Sequence, residues 1–173
     1  MVFIMKLIIS FIIIISILIT ACSQQVQNIQ ASGQGVLILD FPADAKGKLS
    51  VFEFSKEHML CASSFSYNNS VADLGGEGNF GIVVYSQKIT DFKVERNNVI
   101  MKGKAQSVTY KDGNVLENAE YDFTVIAIDN GDGKNDLWNM TLYRKGLMFD
   151  GVSFGTSSGL IKGDIKVDKN RKI

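Results

Sequence analysis

Histidine and cysteine are almost missing from this chain: 173 residues hold His58 alone, and Cys22 and Cys61. One histidine without a histidine or cysteine partner set makes no zinc site. The histidine shortage also weakens an apparent hydrolase motif. Gly155-Thr156-Ser157-Ser158-Gly159 satisfies G-x-S-x-G, but a nucleophile elbow needs a strand-to-helix turn and a histidine later in the chain. Here the only histidine lies upstream and a strand-like run follows. A surplus of one charge is missing too, with 18 Lys and Arg against 18 Asp and Glu. That balance gives no basic stripe for nucleic acid. Helical spacing of apolar residues is absent after residue 35, which removes the helix that G-x-G-x-x-G would need in order to hold a pyrophosphate. The stretch Gly76-Glu77-Gly78-Asn79-Phe80-Gly81 fits that pattern and runs straight into a β-like segment. It reads as a glycine-rich turn opening a strand.

One long apolar run is present, and it stands at the front. Lys6 precedes a stretch from Leu7 to Ile19 broken only by Ser10 and Ser16, followed by Thr20-Ala21-Cys22 and the polar Ser23 to Gln30. A cation, an apolar core and a small-residue cleavage site make a secretory signal. Leu7 to Ala21 is short of the ~20 residues a membrane-crossing helix needs. Ile19-Thr20-Ala21-Cys22 resembles the bacterial lipobox, whose cysteine receives a diacylglycerol and becomes the first residue after cleavage. The resemblance implies a signal peptide at 1–21, lipidation at Cys22 and a location in the cell envelope. Ser23 favours the outer membrane over the inner one where an organism has two. Removing 1–21 leaves 152 residues, enough for one domain with a sizeable core. With Cys22 lipidated, Cys61 is the odd cysteine of an exported protein, either bridged to another molecule or free. Its apolar setting, Met59-Leu60-Cys61-Ala62, favours a buried, inert thiol.

The remainder reads as β. Residues 23–35 are small and polar and predict a flexible tether. Phe92 and Val94 alternate with charged neighbours, Tyr121 to Ile128 alternates until its apolar end, and Ile161 to Val167 keeps a strict period of two. Further runs fall at 35–41, 48–55, 79–86, 98–108 and 137–143. Between them stand turn signals such as Asp44-Ala45-Lys46-Gly47, Lys111-Asp112-Gly113-Asn114 and Arg144-Lys145-Gly146. Ser55 to Ala62 is the one candidate for a single helical turn. The expected fold is all-β, a single antiparallel β-sandwich or partly closed β-barrel of eight to ten short strands after an N-terminal signal helix. Residues 36–168 form its β domain, and 169–173 a basic tail.

An ordered set of pieces between Leu74 and Val167 resembles the post-COAP domain, a β-rich module of bacterial secreted and surface proteins. The pieces are Gly78-Asn79-Phe80-Gly81-Ile82-Val83, then Asp91-Phe92-Lys93-Val94 with Val99 to Ala105, then Tyr121 to Gly131, Asp136-Leu137-Trp138-Asn139-Met140, and Gly159 to Ile165. The resemblance implies a β module without assigned catalytic residues. Residues 36–73 then either complete the same sheet or stand apart from it.

Only one segment offers a metal site. Asp129-Asn130-Gly131-Asp132-Gly133-Lys134-Asn135-Asp136 gathers carboxylates in one loop, and calcium takes six to eight oxygens from such loops. The EF-hand register fails, since from Asn130 the fifth position is Lys134 and the twelfth is Thr141. A non-EF calcium site on Asp129, Asp132 and Asp136 competes with a plain hairpin whose side chains bond their own backbone. No other cofactor is expected. The chain is therefore expected to be a non-enzymatic envelope or surface lipoprotein, serving in binding, adhesion or envelope structure. Its partners would be the membrane, through the lipid, and an unidentified protein or polysaccharide. The alternative is a small-ligand carrier or atypical enzyme with a pocket at the barrel end, lined by some of Phe80, Phe92, Phe123, Trp138 and Phe149.

Overall fold

Alternation of side chains between two faces builds nine antiparallel strands and no helix among the described residues. The structure is a computed structural model that describes residues 30–40, 44–67 and 76–168. The signal peptide, Cys22 and the basic tail lie outside the described residues. The strands are β1 Gln30–Ile38, β2 Lys46–Phe54, β3 Met59–Tyr67, β4 Gly78–Glu95, β5 Asn98–Lys111, β6 Asn114–Ile128, β7 Leu137–Tyr143, β8 Val152–Gly155 and β9 Lys162–Asp168. They form one sheet in the order β8-β7-β6-β5-β4-β3-β2-β1-β9. The sheet curls strongly into a half-barrel. Of the two architectures expected, it is the partly closed barrel. β1, β2 and β3 belong to the same sheet as the rest, so the strands within 36–73 complete that sheet.

The concave face is filled with aromatic side chains. The Phe52 and Trp138 rings stack at 4.9 Å, Phe65 and Phe80 at 5.5 Å, and Phe149 meets Phe154 edge-on at 5.4 Å. Trp138 and Phe154 are fully buried, with Phe80, Phe123 and Phe149 at 3% exposure or less. Small residues make room for these rings. Gly33 and Gly35 lie on the inner face of β1, and a Cβ there would come within 2.7 and 2.9 Å of the Phe54 and Phe52 rings that cover them. Small residues that read as a tether are therefore the floor under two aromatic rings. The tether expected to run to Gly35 gives way to β1 at Gln30, paired with β2 and β9.

Other boundaries shift for physical reasons. Runs 79–86 and 91–95 are one 18-residue strand, β4, bent by irregularities between Ser86 and Lys88 and between Ile89 and Asp91. A bulge adds a residue to one strand and bends it, which breaks the two-residue period. Gly103 of β5 lies beneath this bend, where a Cβ would meet the Lys88 carbonyl oxygen at 2.0 Å. Ser55 to Ala62 makes no helical turn: Ser55 N–H donates to the His58 carbonyl at 2.9 Å, closing a hairpin, and β3 begins at Met59. Met59, Cys61, Ser63, Phe65 and Tyr67 all point inward, so period two overrides the short helix-like segment. β5 and β6 meet at Asp112 and Gly113, with φ of 49° and 83°. Positive φ at both central residues is the geometry of a type I′ hairpin, which Asp-Gly favours.

Cys61 is free and fully buried. Burial pushes its thiol pKa up, partly offset by contacts to Ser50 (3.3 Å) and Ser63 (3.6 Å). Three buried polar atoms lack a hydrogen-bond partner among the described residues: Ser107 Oγ, Thr109 Oγ1 and Trp138 Nε1.

Candidate functional site

The β6–β7 loop holds the three carboxylates singled out for calcium. A strand at a sheet edge leaves backbone N–H groups unpaired. On β9 these are answered by the loop: Asp136 Oδ2 accepts Ile165 N–H at 2.7 Å and Asp129 Oδ2 accepts Val167 N–H at 3.0 Å. Their other oxygens accept from the loop itself, Asp136 Oδ1 from Asn130 N–H (2.7 Å) and Asp129 Oδ1 from Gly131 N–H (2.9 Å). Asp132 turns the other way, taking Asn135 N–H at 2.9 Å and Asn135 Nδ2 at 2.7 Å. The structure therefore brings Asp129 and Asp136 together on β9 and leaves Asp132 within its own turn. Among the described residues, no group of three or more His, Cys, Asp or Glu side chains is arranged to hold a metal ion. The loop's visible work is to latch β9. Asp40 makes a matching tie at the other edge: its N–H donates to the Gly155 carbonyl (2.9 Å) and its Oδ2 accepts Ser157 N–H (2.7 Å). The serine-glycine segment 155–159 thus anchors the closing connection between β8 and β9.

His58 has partners that its isolation in sequence conceals. Ser55 Oγ accepts Glu57 N–H at 3.2 Å and lies 2.9 Å from His58 Nδ1, while His58 Nε2 lies 3.3 Å from Glu53 Oε1. The imidazole therefore bridges the Ser55 hydroxyl and the Glu53 carboxylate. The signal was the spacing Glu53-x-Ser55-x-x-His58 across one hairpin. The cluster is half exposed and caps the β2–β3 turn, with Ser55 Oγ committed to the Glu57 amide. Beside it runs a groove of about 350 Å³ whose polar walls include Gln34, Glu53, His58, Asp164 and Lys166. At the opposite end of the sheet a second groove, about 470 Å³, is bordered by Ser66, Tyr67, Glu77, Asn79 and Asp112. Neither is lined by the five aromatic residues expected around a ligand pocket. Four of those five are buried in the core and Phe92 packs against it.

The convex face of β1 to β6 carries an uncharged strip two residues wide. Cross-strand partners share a face, so the register places Val36, Val51, Ala62, Val83 and Val108 in one row. The next row is Ile38, Leu49, Ser64, Gly81, Tyr110 and Val115. Neither row contains a charge. Ile38, Leu49, Val51 and Val115 are 46–59% exposed, and Leu60 and Tyr85 lie alongside them at 41% and 43%. Val51, Val83 and Val108 were legible only as ordinary strand residues, because the row assembles across five strands. Compared with protein-family models, curated proteins and solved structures, the chain matches none.

Proposed function

We propose that the protein is a lipid-anchored envelope protein whose half-barrel is a non-enzymatic module for binding or envelope structure. The observation that carries this reading is the lipobox-like Ile19-Thr20-Ala21-Cys22 behind an apolar run too short to span a bilayer. The burial of Phe80, Phe123, Trp138 and Phe149 in the core favours a structural interior over a ligand cavity. The pieces resembling the post-COAP domain support a role at or beyond the cell surface, with a protein or polysaccharide as partner. Ser23 favours the outer membrane in a two-membrane cell. Labelled palmitate should enter the wild-type protein and be absent from Cys22→Ser, which should leave the membrane fraction. A wild type that takes no label and stays soluble overturns the reading. Protease shaving of whole cells then separates a surface-facing domain from a periplasmic one.

A further inference from the structure

We propose that the uncharged two-row strip on the convex face of β1 to β6 rests on the bilayer that holds the Cys22 lipid, a proposal that rests on the lipid-anchor reading above. Two observations point to lipid as the occupant. The first is the leash. Cys22 precedes Gln30, the first residue of β1, by only eight residues. At the 3.3–3.6 Å that an extended chain gains per residue, those eight span at most about 28 Å, and a flexible chain of that length averages roughly 16 Å. The domain is therefore kept near the bilayer at high effective concentration, so even a weak affinity for the surface is realised. The leashed strand is itself part of the face, contributing Val36 and Ile38.

The second observation is chemical. Eleven positions in two adjacent rows carry no charge, so laying them against lipid desolvates no ion. Continuous apolar surface of this kind marks an interaction site rather than scattered exposure. Tyr85 and Tyr110 stand on the same face, and tyrosine suits a membrane interface because its ring is apolar and its tip can bond to headgroups or water. The charged groups nearest the strip, Glu53 in the row of Leu60 and Tyr85 and Asp164 and Lys166 on β9, lie on its side toward the leashed end.

The test uses the full chain, processed in bacteria and reconstituted in vesicles of phosphatidylethanolamine and phosphatidylglycerol. A nitroxide is placed at Val51→Cys on the convex face, with Leu60→Cys as a second site and Ser153→Cys on β8 as a reference; Cys61 is buried and unlabelled. At 51 and 60 the ratio of collisions with oxygen to collisions with a water-soluble nickel chelate should rise severalfold on reconstitution. At 153 it should stay unchanged. Water-like ratios at 51 and 60, with mass spectrometry showing lipid on Cys22, overturn the docking and leave the anchor standing. An unmodified Cys22 overturns the anchor and the docking with it. Shielding at 51 that persists in the lipid-free Cys22→Ser chain without vesicles points to a second copy on this face and also overturns the proposal.

Discussion

Asp136 is fully buried, and both of its oxygens accept backbone N–H groups. Removing it strands two donors, one of them on the edge strand β9. Asp136→Ala should therefore cost about 2–5 kcal/mol in chemical denaturation, while Asp132→Ala, which frees groups within one exposed turn, should cost about 1 kcal/mol or less. The loss at Asp136 should be the same in millimolar calcium and in chelator. A loss seen only with calcium, together with an equal loss at Asp132, would instead indicate calcium bound at this loop. An opposite sign is expected at Thr109, whose buried hydroxyl has no partner among the described residues. Thr109→Val should stabilise by about 1 kcal/mol, and a destabilised variant would mean that the hydroxyl is in use. Burial and the 2.6 Å hydrogen bond that Tyr121 donates to Glu117 both raise the Tyr121 pKa above 10. The folded chain then keeps a proton that the unfolded chain releases near pH 10, so this contribution is intact below about pH 10 and is lost as pH climbs through the folded value. Stability should fall with alkali above about pH 10, less steeply in Tyr121→Phe. Composition pointed to the acidic loop, but its partners Ile165 and Val167 lie 29 and 38 residues along the chain from the aspartates they meet. No local pattern encodes that pairing.

Strands whose two faces differ were readable from period two alone, and β7 runs from Leu137 to Tyr143 as expected. Errors occur where the sheet departs from regularity. β4 breaks its alternation at the Ser86–Asp91 irregularities, and β1 has glycine where a reader looks for apolar side chains. β8 is four residues long and too short to show a period. The bend in β4 depends on what lies under it. Gly103→Ala should destabilise by about 1–3 kcal/mol as β4 is pushed off β5. Gly113→Ala, with open space at its Cβ but φ of 83°, should cost about 1 kcal/mol through backbone strain alone. Equal costs at both positions would mean that close approach at the bend is not what the glycine supplies. Cys61→Ala removes a small buried group and should cost about 1–2 kcal/mol, with reducing agent leaving the wild type unaffected.

At the scale of the molecule, eight strands follow one another as a meander and β9 returns to the far side of β1. Carboxylates then cover the β9 edge, while Asp40 ties the end of β1 to the β8–β9 connection. The half-barrel is finished by side chains where a closed barrel would use a ladder. Its interior is occupied by aromatic rings, and its unassigned surface is the uncharged strip on the convex face. The fold class was legible because strand periodicity and turn chemistry are local. The convex face was not, because it exists only once register sets one row beside the next. No helix among the described residues is long and apolar enough to cross a membrane. The proposed membrane attachment is at Cys22, and the mass of the mature N-terminal peptide tests it most directly. The expected peptide begins at Cys22 and carries diacylglyceryl, with or without a third acyl chain. A peptide still carrying residues 1–21, or one beginning elsewhere with Cys22 unmodified, would contradict it.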